Sequence, residues 1–225
     1  MAETLPINFP LETENVIASY SATDLADGTG VIVFKGYNSN EEGTDDYHLS
    51  EQTISSNDVI SRDLAGSTYS DYTLRMDHDY DLTPFNTART IEGTAKISIT
   101  VGGYSSSTTG DKQIYYIAKL RKWDGSTETE IANAQSENMP HNSATGTKSK
   151  TLTVSIPITT AVNFAAGETF RITIEIWIKK NTDNADFGYG HDPDDRNDTV
   201  STNRFIISDA DTTVFKAHVP FKIDV

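Results

Sequence analysis

Phe-Arg-Ile-Thr-Ile-Glu-Ile-Trp-Ile-Lys, at residues 170–179, is the stretch that decides the fold class. Every second residue from Phe170 to Ile178 is a large apolar side chain, and the residues between them are Arg171, Thr173, Glu175, Trp177 and Lys179. A period of two is typical of a β-strand that buries one face. The same alternation recurs elsewhere in the chain, and no segment has the period of a long helix. The sequence therefore predicts an all-β protein.

Other strands can be placed by the same pattern. Alternation is clear at residues 72–82, 94–101, 151–158 and 213–225. Asp124-Gly125 stands between two further alternating runs, Gln113–Trp123 and Thr127–Ala134, and Asp-Gly in that position is a strong hairpin signal. Polar, glycine-rich stretches predict loops at 102–111, 135–150 and 180–203.

Eight to ten strands joined by some long connections are typical of a sandwich with Greek-key crossings. We therefore predict a jelly-roll-like antiparallel β-sandwich, with an immunoglobulin-like sandwich and a simple barrel as the competing folds. Residues 16–225 are expected to form one domain, because all-β units of this size often remain undivided.

Residues 1–15 are predicted to form an extended N-terminal arm. Leu5, Ile7 and Phe9 alternate around Pro6 and precede Pro10, and proline favours an extended backbone at the residue before it. These three apolar side chains are candidate interface anchors that dock in a groove on a neighbouring subunit. Packing of the same segment on its own domain is the alternative.

Composition restricts the classes of function. The chain of 225 residues has 33 acidic and 18 basic side chains, hence a net charge of −15. A negative surface repels phosphate backbones, so general nucleic-acid binding is not expected. The chain contains no cysteine, which excludes disulfides and thiolate metal sites. No signal peptide or spanning apolar run is recognised, so we expect a soluble protein, without a membrane partner, made in a reducing cytoplasm.

A glycine- and aspartate-rich stretch at residues 186–198 contains the candidate ion ligands. Carboxylate oxygens in a turn can coordinate calcium, and the candidates are Asp192, Asp194, Asp195 and Asp198. Their spacing does not match the EF-hand loop. A turn held by Arg196 paired with a neighbouring aspartate is the alternative, and no other cofactor is predicted.

Tyr115 and Trp177 are candidate interface aromatics, because both fall on the polar side of their strands. If residues 113–123 and 169–179 lie in one sheet, these rings form an outward patch. Exposed aromatics on a sheet indicate a protein interface or a surface for stacking on sugars. Coverage by a loop or by the N-terminal arm is the alternative.

No catalytic motif is recognised, and we predict that the protein is not an enzyme. A β-sandwich hydrolase would require two carboxylates about 5–10 Å apart in a cleft. Glu175, Glu128, Glu130 and Asp124 are candidates, but sequence alone does not pair them.

Three segments resemble β-sandwich virion proteins of tailed viruses of bacteria or archaea. The segments are Asn163–Trp177, with its Ala-Gly-Glu turn before a long strand, the hairpin Leu120–Glu130, and Gly188-Tyr-Gly-His-Asp-Pro-x-x-Arg196. The resemblance covers about 40% of the chain, from residue 113 to 200. It implies a capsid, capsid-decoration or tail-associated component of jelly-roll type, with no catalytic residues to carry over.

The expected function is therefore that of a non-enzymatic virion structural protein that assembles as a homo-oligomer. Its expected partners are copies of itself and another shell protein, and its expected location is the virion, after synthesis in the host cytoplasm. The alternative is a lectin-like carbohydrate-binding protein, with calcium as its candidate ion and a host glycan as its partner.

Overall fold

The structure is a computed structural model, and it describes residues 18–19, 29–39, 46–52, 60–63, 66–142, 145–182, 184–191 and 215–222. Within these ranges the chain forms strands and no helix. In chain order the strands are β1 (Ala18–Ser19), β2 (Thr29–Ser39), β3 (Asp46–Ser50), β4 (Ile60–Asp63), β5 (Tyr69–Asp81), β6 (Arg89–Ser105), β7 (Lys112–Trp123), β8 (Glu128–Gln135), β9 (Met139–Pro140), β10 (Gly146–Phe164), β11 (Thr169–Lys180), β12 (Ala185–Gly190) and β13 (Phe215–Lys222). The prediction of an all-β fold is confirmed.

Eight of the strands form the two layers of a sandwich. The first sheet has the order β2-β13-β6-β10, and the second has the order β5-β11-β7-β8. Antiparallel pairing holds throughout both sheets. This interleaved order, in which sequence neighbours such as β5 and β6 lie in opposite layers, is that of a jelly roll.

The remaining strands extend or join these layers. Strand β12 pairs with the last part of β6, and β4 pairs with β12. Strand β3 pairs with β2 over five residues and forms one parallel bridge to β5, between His48 and Asp81. The two layers are therefore connected at the β3 corner.

The core lies between the layers and is built from the alternating side chains. Phe170 and the four isoleucines of β11 are 0% exposed, as the sequence pattern predicts. The Tyr116 hydroxyl, on β7, lies 2.8 Å from the Ile97 carbonyl oxygen and 3.0 Å from that of Leu152, both in the opposite layer. A polar atom buried between the sheets thus has partners, as buried polar atoms need.

Three predicted loops are corrected in part by the structure. Residues 185–190 form β12, whose six residues are all buried, and 102–105 continue β6. Gly103 permits this pairing, because a Cβ there would lie 2.7 Å from the ring of Phe187. Glycine normally indicates a turn, but here it admits an aromatic ring onto the backbone. Residues 135–150, also predicted as a loop, contain β9 and the start of β10.

Candidate functional site: the outer face of the second sheet

The outer face of the second sheet carries two groups of interacting side chains, one charged and one aromatic. Alternation along β11 points Arg171, Thr173, Glu175 and Trp177 away from the core. The strand register places Asp81 and Arg121 on either side of Arg171, and Asp77 directly opposite Glu175. Cross-strand neighbours of this kind have Cβ atoms about 5 Å apart, so their side chains interact.

Arg171 is the centre of a network that we call the charged ladder: Asp79, Asp81, Arg121, Glu128 and Arg171. Its guanidinium donates to both Asp81 oxygens at 2.6 and 2.7 Å, to Glu128 at 2.9 Å and to Asp79 at 3.3 Å. The hydrogen bonds to Asp81 are the largest cause that raises the pKa of Arg171 above its ordinary value. Glu128 also pairs with Arg121, so the ladder spans β5, β11, β7 and β8.

Glu175 and Asp77 form a pair of carboxylates beside the ladder, with different surroundings. Glu175 is 8% exposed; it pairs with Lys119 and accepts a hydrogen bond from Trp177 Nε1 at 3.1 Å. Asp77 is exposed, and no hydrogen bond or ion pair among the described residues involves its carboxyl group. Partial desolvation, followed by the charges of Glu175 and Asp79, raises the pKa of Asp77.

A cleft of about 320 Å³ opens where β3 meets β5. Its lining consists of Asp46, Tyr47, His48, Asp77, His78, Asp79, Asp81 and Arg171. The rings of Tyr47 and His78 stack at 4.2 Å within it. Asp77, Asp79 and Asp81 therefore belong both to the outer face and to the wall of this cleft.

A second network, which we call the tyrosine–histidine chain, runs inward from the cleft. It connects Tyr47, His78, Tyr189, Tyr80, His191 and Ser61 through five successive contacts of 3.2, 2.5, 2.9, 2.5 and 2.7 Å. Each hydroxyl or imidazole between the two ends can donate one hydrogen bond and accept one. The chain can therefore be satisfied with both imidazoles neutral.

The pKa values of the buried members agree with a neutral chain. Burial, followed by the charge of His78, lowers the pKa of His191 well below its ordinary value. Burial, followed by the interaction with Tyr189, raises the pKa of Tyr80 well above its ordinary value. Desolvation disfavours a charged group in both cases, so the interior keeps these residues uncharged.

The aromatic patch, defined as Tyr72, Leu74, Tyr115 and Trp177, lies on the same outer face at the other end of the strands. Trp177 lies opposite Leu74 on β5 and Tyr115 on β7. The rings of Tyr115 and Trp177 are nearly parallel, with an interplanar angle of 7° and centroids 6.2 Å apart. Leu74 is 37% exposed, and no other large hydrophobic side chain of the described residues is classed as exposed.

The structure places the two predicted interface aromatics next to each other and puts Tyr72 and Leu74 beside them. Strands β7 and β11 are neighbours, so Tyr115 and Trp177 do lie on one outward face. Tyr115 is only 9% exposed, because it lies beside Trp177 and Tyr72. The exposed part of the patch therefore comes from the other three residues, and the interface role remains a prediction.

The other predicted site residues lie outside the described part of the chain. These are the arm anchors Leu5, Ile7 and Phe9 and the calcium candidates Asp192, Asp194, Asp195 and Asp198. Among the residues that the structure describes, no group of three or more histidines and carboxylates is arranged to hold a metal ion. Within the same residues, no helix has the length and apolar character needed to cross a bilayer.

Sequence reasoning missed the charged ladder and the tyrosine–histidine chain. Arg171 was visible as a basic residue on a polar strand face, but its acidic partners come from β5 and β8. His78 on an apolar strand face was a signal of a buried polar contact. Its partner Tyr189 lies 111 residues away, in a stretch predicted to be a loop.

Comparisons with known proteins give fold-level similarity. No family model matches the chain, and no curated protein matches it. A CocE/NonD family hydrolase from Staphylococcus aureus shares 9% identity at a TM-score of 0.49, covering 84% of this chain and 36% of the hydrolase. The chain therefore spans about a third of that protein's length.

Two viral structures are also similar to the chain. Infectious bursal disease virus, Gx strain, matches at 12% identity and a TM-score of 0.26, with 92% of this chain and 53% of the viral chain covered. A pentameric capsid protein from metagenomic phage sequences matches at 20% identity and a TM-score of 0.16, with 54% and 71% covered. Likeness at such identities and TM-scores carries no argument about the role of this chain.

The prediction that the chain is not an enzyme is corrected by these comparisons. It depended on the lack of a recognised motif and on a resemblance to virion proteins. A hydrolase is among the structures similar to the chain, and this finding contradicts the expectation. The likeness does not transfer that protein's reaction to this chain.

Proposed function

We propose that the chain is a structural protein of a virion and that it assembles with copies of itself through the aromatic patch. The observation that carries the proposal is the patch itself. Trp177, Tyr72 and Leu74 project from one rigid sheet face, and Leu74 leaves more than a third of its surface in contact with water. Aromatic side chains are enriched at the centres of protein interfaces, where they exclude water.

The surroundings of the patch fit the rim of such an interface. Tyr72 donates to Gln113 at 2.6 Å, and Gln113 donates to Asp111 at 2.6 Å. Asp111 pairs with Lys179 at 2.8 Å. These polar groups are already oriented in the isolated chain, so little side-chain entropy is lost when a second surface covers them.

The mass of the particle in solution tests this proposal. We expect the wild-type protein to form a homo-oligomer and Leu74→Lys to weaken the association at least about tenfold, because it places a charge at the centre of the contact. Sedimentation over a range of concentrations measures both. Thr94→Lys, an exposed site on β6 in the other sheet, is the matched control and should associate like the wild type. A wild-type monomer at every concentration contradicts the proposal.

The N-terminal segment supplies a second, separable contact in this proposal. Leu5, Ile7 and Phe9 would dock on a neighbouring copy or on another shell protein. Deleting residues 1–12 should then reduce the mass of the assembly while the aromatic patch remains intact. If the mass of the assembly is unchanged, residues 1–12 do not contribute to association, and the aromatic patch remains the proposed contact.

A second candidate function is saccharide binding at the same face. The specific observation is that Glu175 fixes the indole of Trp177 through the 3.1 Å hydrogen bond, with ordered polar side chains beside it. Sugar-binding sites combine a stacking surface with directional hydrogen bonds, and aromatic rings supply that surface. A glycan array should then show binding that Trp177→Ala abolishes and Leu74→Ala retains. Repeating it with a chelator tests the calcium candidates.

A further inference from the structure

We propose that an apolar groove beside β2 receives the N-terminal segment of a second copy of this chain, with Leu5, Ile7 and Phe9 as its anchors. The inference rests on the proposed self-association and names the surface on which that segment docks. It is separate from the aromatic patch, because the patch lies on the outer face of the second sheet, whereas the groove opens between the two sheets.

The groove has a volume of about 580 Å³ and opens between β2 and the connection from β5 to β6. Its large apolar lining residues are Ile32, Phe34, Leu49, Leu82, Phe85 and Phe221. Phe34, Leu49 and Phe221 are core residues and form its floor, and the other three are half-buried. Apolar side chains that cover this surface remove it from water, which favours docking.

The groove's own chain can fill only a small part of it. Ala18 on β1 lies opposite Ile32, and the antiparallel register directs the backbone before Ala18 towards Phe34. A continued strand would place Val16 on the groove side and Glu14 at the next position on that side. Because a carboxylate is costly in an apolar groove, we expect this segment to leave the groove after Val16. The apolar surface beyond that point is then open to another occupant.

The anchors match the groove in spacing. In an extended segment Leu5, Ile7 and Phe9 point to one side, with about 7 Å between successive anchors. Ile32 and Phe34 are also two residues apart on one strand and line the groove together, so they have the same spacing. Apolar side chains of the segment can therefore pack between those of the wall.

The two prolines of the segment also suit an apolar groove. Every buried backbone N–H needs a hydrogen-bond partner, and an apolar lining offers few. Pro6 and Pro10 have no N–H. The segment thus carries fewer donors into the groove than another extended stretch of its length would.

The rim of the groove provides charge complementarity. Arg89 lines the groove, is exposed and forms no ion pair with another described residue. Glu51 also lines it. Residues 1–14 contain no lysine or arginine and three glutamates, Glu3, Glu12 and Glu14. A glutamate that flanks the anchors can pair with Arg89, and the two lining charges, being opposite in sign, favour one direction of the docked segment.

The length of the connection favours the groove of a second copy. Phe9 and Ala18 are separated by residues 10–17, which span up to about 30 Å when extended. The wall from Ile32 to Phe34 is only about 7 Å long, so a segment that continues in the direction of β1 passes its own groove. Because Ala18 adjoins the groove, a twofold pair that brings two grooves together places each segment beside the groove of the other copy.

Cross-linking of single-cysteine variants of the full chain tests the proposal. The chain has no cysteine, so Asn8→Cys and Thr83→Cys, the latter on the exposed rim of the groove, each introduce one. We expect a short bismaleimide to join one chain of each kind in an equimolar mixture, as detected by mass spectrometry. Thr94→Cys, exposed on β6 and not a lining residue, replaces Thr83→Cys in the matched control. It should give at least about tenfold less of the mixed pair, because no docking raises the local concentration there.

A second pair of variants tests the anchors. Adding Ile7→Asp to the Asn8→Cys chain should lower the yield of the mixed pair at least about tenfold, because a carboxylate then enters the apolar groove. Thr4→Asp adds the same charge on the opposite side of the extended segment and should leave the yield unchanged. The proposal is overturned if Thr83→Cys gives no more mixed pair than Thr94→Cys or if Ile7→Asp has no effect. It is also overturned if the two cysteines, placed in one chain, join only within that chain.

The result is separable from the test of the aromatic patch. Association that Leu74→Lys weakens, without any mixed pair, retains the patch and overturns docking in the groove. A mixed pair from a protein whose association Leu74→Lys leaves unchanged retains the groove and overturns the patch as the contact. A wild-type monomer at every concentration overturns both.

Discussion

The charged ladder and the tyrosine–histidine chain begin on the same strand, β5, and differ in charge. Asp77, Asp79 and Asp81 point outward from it, whereas His78 and Tyr80 point inward. The outward Asp79 and Asp81 pair with Arg171, and both side chains remain partly open to water. Tyr80 is fully buried and His78 is half-buried, and their hydrogen bonds link them to Tyr189 and His191. Alternate residues of β5 face opposite sides of the sheet, so the ionic network and the buried network lie on its two faces, separated by the thickness of the sheet.

The comparison teaches that burial decides which kind of polar network a position can hold. Moving a charge into a region of low dielectric is costly, whereas a neutral hydrogen bond there keeps its strength. The two networks should therefore respond differently to mutation, pH and salt.

The largest expected effect comes from breaking the interior chain. Tyr80→Phe removes the hydroxyl between Tyr189 and His191, so the buried His191 Nδ1 loses its contact and the Tyr189 hydroxyl loses one of its contacts. We expect the free energy of unfolding to fall by about 2–3 kcal/mol, measured by urea denaturation at pH 7. Tyr72→Phe is the matched control, because its hydroxyl is half-buried and water can replace it; its loss should stay below about 1 kcal/mol. Equal losses of unfolding free energy for the two variants would contradict the conclusion that burial makes the hydrogen bonds of the interior chain more costly to break.

Acid should weaken the interior chain. The folded-state pKa of His191 is depressed, so the unfolded chain takes up a proton near pH 6.5 while the folded chain does not. Stability is then fully present above pH 6.5 and falls below it, by at most about 1.4 kcal/mol per pH unit for this group. Urea midpoints between pH 7 and 5 measure the slope. His191→Gln should flatten it, whereas His48→Gln, on the exposed side of β3, should not.

The smallest expected loss of stability comes from breaking the ladder, and its dependence on salt concentration should show that the loss is electrostatic. Arg171→Met removes the cation that Asp81, Asp79 and Glu128 share, and we expect a loss of about 1–2 kcal/mol, since the side chain is only partly exposed. In 1 M salt the loss should shrink, because the screening length falls to about 3 Å. Lys150→Met breaks an ion pair with Glu137 that is largely exposed, and it should cost less than about 0.5 kcal/mol. The Arg171 guanidinium carbon lies 5.1 Å from the centroid of the Trp123 ring. A salt-independent loss for Arg171→Met would mean that this packing, not charge, holds Arg171 in place.

The candidate site was predictable where it depended on one strand at a time. Alternation in β11 and β7 was enough to place Trp177 and Tyr115 outward, and pairing of the two strands confirmed the condition for a patch. Alternation did not reveal that Tyr115 is mostly covered, because Tyr72 comes from β5. Nor did it pair Glu175 with Asp77, since neither strand carries information about the register of the other.

The stretch from 185 to 190 shows a different limit. Its glycines and aspartate are typical of a loop, yet it forms a buried strand against β6. The ring of Phe187 packs on Gly103, and Tyr189 and His191 find their partners on β5. Local propensity was overridden by tertiary contacts, and those contacts also created the tyrosine–histidine chain.

The sequence by itself determined the all-β class, the inward isoleucines of β11, the outward position of its polar residues and the strong negative charge. These depend on period and composition, which are local properties of the chain. The tertiary structure alone decided the jelly-roll strand order, the ladder around Arg171, the neutral chain through Tyr80 and the pairing of Asp77 with Glu175. Each of those joins residues that are distant in sequence, and only the pairing of strands within a sheet and the packing of the two sheets bring them together.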